Sequence, residues 1–143
     1  MKTIRRLTGF KGAAVLVAIL VMNGAALAKK PANNGVPATL SADRTSAEVT
    51  IVTPACDPAT TMNAAGKLSV HIYQSVGRLI NIGIGSATVT CTNLESSQTI
   101  TVNTIPGLGF QPGPATLVVR FSTSDLLGAE TVQESGSRVD LRP

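Results

Sequence analysis

From about residue 45 onward, apolar and polar residues alternate in short runs separated by Gly, Pro, Asn and Ser. Period-two alternation sends successive side chains to opposite faces of a β-strand, and no helical 3.6-residue repeat of any length competes with it. The first run is Ala47–Thr53, with Val49 and Ile51 on one face, and Pro54 ends it. The second is Lys67–Gln74: Leu68, Val70 and Ile72 point one way, while Lys67, Ser69, His71 and Tyr73 point the other. The third is Arg78–Ile84, with Ile80, Ile82 and Ile84 in register, joined to the second through Ser75-Val76-Gly77 as a hairpin. The fourth, Ser86–Thr92, has Ala87, Val89 and Cys91 as its inward set, and the fifth, Gln98–Asn103, has Ile100 and Val102. A long connection rich in Gly and Pro, Gly107–Pro114, surrounds Phe110. The sixth run, Ala115–Ser122, turns Leu117, Val119 and Phe121 inward. The last falls within Glu130–Arg142, with Val139 and Leu141 inward and Gly136 marking a bulge or a break.

About seven short strands with one-sided alternation favour antiparallel sheets that each keep one wet face. The expected fold is therefore all-β: an immunoglobulin-like antiparallel β-sandwich, two such sheets packed face to face. A small barrel is the runner-up. Without a Trp the core is not of the antibody type.

The start of the chain follows a different pattern. Four basic residues (Lys2, Arg5, Arg6, Lys11) precede the uncharged apolar run Ala13–Met22, and Ala26-Leu27-Ala28 precede Lys29. A basic start, a short apolar core and small residues before the scissile bond form the layout of a cleavable signal peptide. The run is about half the ~20 residues that a permanent membrane helix needs. The expected organisation is a signal peptide over 1–28 cut between Ala28 and Lys29, a flexible leader over 29–44, and one domain over 45–143. The destination is secreted or periplasmic, with no membrane attachment after cleavage.

That division changes the reading of charge. The chain carries a formal net charge of +4. The four basic residues of the signal account for all of it, and the remainder is balanced. The apparent basicity is therefore no argument for nucleic acid or acidic lipid.

The mature part holds two cysteines, Cys56 and Cys91. In an oxidising compartment they have one possible intramolecular pairing, and a structural disulfide is the expectation. Neither a Cys-x-x-Cys spacing nor an obvious activating base suggests a reactive thiol.

Several pieces taken in order carry a resemblance. Cys56 precedes a strand ending in Tyr73-Gln74; Gly77-Arg78 forms a turn; Gly83-Ile84-Gly85-Ser86-Ala87-Thr88-Val89-Thr90-Cys91 follows. After these come Gln98–Val102 and Phe110-Gln111-Pro112-Gly113-Pro114-Ala115. The set resembles a group of small secreted bacterial proteins with a single immunoglobulin-like domain and no assigned function, over roughly residues 47–142. The resemblance implies the fold and export and supplies no active-site residues. A second Cys pair frequent in that group is missing here, which implies a looser last hairpin.

The chemistry available is narrow. A hydrolytic triad needs a His, and the one His, His71, reads as a solvated sheet-face residue with no Gly-x-Ser-x-Gly elbow beside it. One His and two bridged Cys do not make a zinc site, and Asp125 with Glu130 reads as a solvated loop rather than a calcium site. No convergent carboxylate pair, aromatic platform or phosphate-cradling loop is evident. The expectation is no catalytic residue, no metal and no cofactor. What remains is surface: the outward Ser69, His71 and Tyr73, and a contact loop at Gly107, Phe110 and Pro112, where Phe110 is either a core plug or an exposed contact. The leading reading is an exported non-enzymatic protein, monomeric, that binds a protein or envelope component or helps build the envelope or extracellular matrix. The alternatives are a strand-exchanging pilus-like or adhesin subunit, and a small protein inhibitor.

Overall fold

A computed structural model describes residues 38–143. The signal over 1–28, its Ala28–Lys29 cleavage site and the leader up to Pro37 lie outside the described residues. Seven strands follow one another: β1 (Ala38–Leu40), β2 (Ser46–Thr53), β3 (Thr61–Val76), β4 (Leu79–Thr90), β5 (Ser96–Thr104), β6 (Gly113–Asp125) and β7 (Glu130–Arg142). They hydrogen-bond in the order β1-β2-β5-β4-β3-β6-β7 and close on themselves. The fold is a seven-stranded β-barrel, which corrects the expected open sandwich of two stacked sheets.

The closure has a cause in the sequence. β4 meets β5 at Gly83↔Thr104 and Ile84↔Asn103. A Cβ on Gly85 would lie 2.6 Å from the Thr101 carbonyl oxygen, and one on Gly83 would lie 2.9 Å from Val102 Cγ1. Glycine at both positions lets the two backbones come close enough to pair. The other closure is parallel, between β1 and β7 at Ala38↔Leu141 and Thr39↔Arg142. Ring closure gives an otherwise exposed strand edge a partner.

Two elements differ from the sequence reading. β1 falls inside the stretch expected as leader, with Ala38 fully buried, so the domain begins by Ala38. The third and fourth runs are one strand, β4, paired with β3 from Val76↔Leu79 to Ala65↔Thr90. In a continuous strand only one parity faces in. Asn81, Gly83, Gly85 and Val89 are buried, whereas Ile80, Ile82 and Ile84 face out. Gly136 makes neither bulge nor break: it pairs with Val118 within an unbroken β6–β7 ladder.

The other inward sets stand where alternation put them. Val49 and Ile51, Leu68, Val70 and Ile72, Val89, Ile100 and Val102, Leu117, Val119 and Phe121, and Val139 and Leu141 form one core with Phe110. The Cys56–Cys91 disulfide joins the loop after β2 to the residue that follows β4, with Cα atoms 5.0 Å apart. Cys56 N donates to Thr92 O, so the covalent tie is backed by a backbone one. The hairpin between β3 and β4 turns on Gly77, whose φ of 61° suits glycine at the first central position of a two-residue hairpin turn.

Candidate functional site

The two surfaces singled out in the sequence have different fates. The Gly107–Pro112 loop is held down. Phe110 is fully buried, so it is the core plug and its ring is not available to a partner; Gly107 and Pro112 stay exposed. The loop is fixed by Gln74, which bonds the Gln111 backbone, by Asn81 Nδ2, which donates to Gly109 O, and by Phe110 N, which donates to Arg44 O at 2.9 Å.

The outward side of β3 is where side chains gather. Register places residues of four strands in rows across it: Ile82, Tyr73, Thr116 and Arg138 in one, and Ile84, His71, Val118 and Gly136 in the next. Ser86, Ser69, Arg120 and Glu134 form the third. The β4 column of this face is aliphatic, with Ile80 60% and Ile84 49% exposed and Ile82 half-buried. Tyr73 and His71 adjoin it on β3, and hydroxyls and charges continue across β6 and β7. An apolar stripe bordered by aromatic and polar side chains is a candidate protein-binding surface. Sequence reasoning found Ser69, His71 and Tyr73 but missed the isoleucines beside them. The signal was present as a conflict of parity between Ile80-Ile82-Ile84 and Ala87-Val89-Cys91.

Within the face, His71 bridges two neighbours of its own strand. Ser69 Oγ lies 3.1 Å from His71 Nε2, and Tyr73 OH lies 3.4 Å from Nδ1. The His71 and Tyr73 rings stack with centroids 6.2 Å apart. A hydroxyl on an imidazole is the contact a nucleophile and its base require. Two further requirements are unmet at this place. The group on Nδ1 is a phenol rather than a carboxylate. The backbone at Ser69 and His71 is paired on one side with Ser86 and Ile84, and on the other with Arg120 and Val118. Its N–H groups therefore serve the ladders instead of forming an oxyanion hole. The arrangement orients Tyr73 and His71 as a flat two-ring surface. Among the described residues no three His, Cys, Asp or Glu side chains converge to hold a metal ion.

No protein-family model, curated protein or solved structure matches this chain.

Proposed function

We propose that this chain is an exported, non-enzymatic protein that binds another protein of the cell envelope or extracellular space through the outer face of β3, β4 and β6. The observation that carries the reading is the outward row Ile80, Ile82 and Ile84, with Ile80 and Ile84 exposed, beside Tyr73 and His71. Burying aliphatic side chains of this size against a partner contributes about 25 cal/mol per Å² removed from water. The basic, apolar and small-residue layout of the first 28 residues supports export, as does a disulfide, which persists in oxidising compartments. The partner suited to this face presents a flat apolar patch, because the isoleucine row lies along an open sheet surface. A strand-exchanging subunit has less support, since an acceptor lacks a strand and these seven close a ring.

The test is site-specific photo-crosslinking in the producing cell. A photoreactive residue replacing Ile84 is expected to trap one discrete protein, and the same probe at Thr99, on the outer side of β5, is not. Ile82→Lys should abolish that crosslink while leaving the melting temperature within a few degrees. Equal trapping at both probe positions, or none at Ile84, would overturn the proposal.

A further inference from the structure

The two ends of the barrel differ in charge and shape. β6 runs the length of the molecule, from Gly113 at one end to Asp125 at the other. At the Asp125 end, the turns and the strand ends that flank them carry Asp57, Glu95, Asp125 and Glu130, and the cation near them is Lys67 on β3, which shares a recess with Glu130. The β6–β7 turn projects there, with Leu126 65% and Leu127 94% exposed. This tip is preorganised. Asp125 Oδ1 accepts from Leu127 N and Ala129 N, both at 2.8 Å, and Asp125 N donates to Ala129 O.

The opposite end carries Arg44, Arg78 and Arg142 against Asp43 and Asp140; Arg142 Nε lies 3.5 Å from Asp140 Oδ2, which leaves Arg44 and Arg78 as its unpaired cations among the described residues, against Asp43. It also holds a recess of about 370 Å³ lined by Leu40, Ala42, Pro112 and Pro143, with Arg44 at its wall. Arg44 Nη1 bonds Gln111 Oε1, which aims the guanidinium and leaves further N–H donors for a second partner.

We propose that copies of this chain associate head to tail, the Leu126–Leu127 tip of one seated in the Leu40–Pro112 recess of the next. An apolar tip at the acidic end meets a largely apolar recess with the Arg44 guanidinium at its wall, so polarity and charge complement each other. The same complementarity excludes two competing arrangements. Tip against tip would set acid against acid. Insertion of the tip into an anionic membrane would bring Asp57, Asp125 and Glu130 to a negative surface. A contact between different ends is heterologous and builds open chains unless its rotation closes a ring. This departs from the monomer that the sequence suggests, and it is independent of the face formed by β3, β4 and β6.

The test uses the full oxidised chain as the producing cell makes it. In sedimentation velocity, the weight-average sedimentation coefficient should rise with concentration past the dimer value, and added salt should reduce the rise. Leu127→Asp removes the tip's apolar contact, and Ala42→Glu places a carboxylate in the recess. Each variant alone should stay monomeric. Their mixture should form dimers and nothing larger, because one intact tip and one intact recess remain. A chain that stays monomeric at every concentration would overturn the proposal. So would a plateau at the dimer, association that survives Leu127→Asp, a mixture that stays monomeric, or Leu127-dependent binding to anionic vesicles in place of self-association. Circular dichroism of both variants, unchanged from the parent, separates loss of contact from loss of fold.

Discussion

The side-chain amide of Gln74 on β3 grips the backbone of Gln111 at both of its polar groups: Nε2 donates to Gln111 O at 2.7 Å, and Oε1 accepts from Gln111 N at 2.8 Å. Gln74 is itself buried, and its partner is the residue that follows Phe110. The pair therefore fixes the chain where the fully buried Phe110 ring enters the core. Gln74→Ala leaves an N–H and a carbonyl without their partners at a part-buried site and is expected to cost about 2 kcal/mol. Gln111→Ala keeps both backbone bonds and should stay within about 0.5 kcal/mol of the parent. Urea denaturation of the two variants checks the contrast.

Phe110 also depends on what β4 omits. A Cβ on Gly83 would run into the Phe110 ring and would approach Val102 Cγ1 to 2.9 Å. Gly83→Ala is expected to destabilise by about 1–3 kcal/mol through overpacking. Phe110→Leu vacates part of the contested space, so the double variant should lose less than the sum of the two single ones. A coupling of about 1 kcal/mol in a double-mutant cycle is the expected reading, and strict additivity would show that ring and glycine do not meet.

These two relationships explain what was legible in the sequence and what was not. Alternation within a single run names its inward face correctly wherever the run stands alone, as in Leu68-Val70-Ile72 and Leu117-Val119-Phe121. It fails across residues 78–92, where two runs of opposite parity belong to one strand. Hydrophobicity favours the isoleucines for the interior, but the interior beside β4 is taken by Phe110, which arrives from a loop more than twenty positions later. Gly83 gives way to it, Gly85 gives way to Thr101 and Ile100 of β5, and the isoleucines are turned out, which builds the candidate binding face. Ser69, His71 and Tyr73 could be placed because β3 has one consistent parity. The choice between sandwich and barrel rested on how near β4 comes to β5, a distance that depends on Gly83 and Gly85 and leaves no trace in periodicity. β1 is three residues long, too short for any alternation to register.

Removing the disulfide should cost a large share of the stability. The bridge closes a loop of 35 positions. Chain-entropy reasoning assigns roughly 4 kcal/mol to a loop of that size, against net stabilities on the order of 5–15 kcal/mol for single domains. A Cys56→Ser, Cys91→Ser double variant, compared with the reduced parent in denaturant, should show a similar loss for both. A parent that keeps its midpoint on reduction would show that the bridge adds little.

The β3 bulge stores strain that one substitution should release. The register with β6 shifts between Thr61 and Gly66, and within that stretch Asn63 and Ala64 have φ of 57° and 48°. Asn tolerates the left-handed region, whereas Ala meets its own Cβ clash there, worth roughly 1–2 kcal/mol. Ala64 O meanwhile accepts from Cys91 N at 2.8 Å, so the strained segment is tied directly to a cysteine of the disulfide. Ala64→Gly removes the clash and keeps that bond. After the extra chain entropy of glycine is subtracted, it should raise stability by about 0.5–1 kcal/mol. Ala64→Val, with a branched side chain in the same conformation, should lower it; thermal melts of the pair give the sign.

Acid stability has a contributor in the β1–β2 turn. The Asp43 carboxylate accepts from Ser41 Oγ at 2.6 Å and from Thr45 N and Thr45 Oγ1 at 3.1 and 2.9 Å. The Ser41 bond, with the two from Thr45, holds its pKa below the usual carboxylate value. The folded pKa is thus lower than the unfolded one, so in acid the unfolded chain takes up this proton first. The stability contributed by Asp43 is complete above the ordinary carboxylate range and is lost as the pH falls through the depressed folded value. Asp43→Asn keeps a side-chain carbonyl but no charge to titrate. The melting-temperature gap between parent and variant should therefore be widest near neutral pH and narrow on acidification, with the Asp43 carboxyl midpoint, followed by NMR, below that of an exposed aspartate. A gap that stays constant with pH would show that the turn draws nothing from the ionised form.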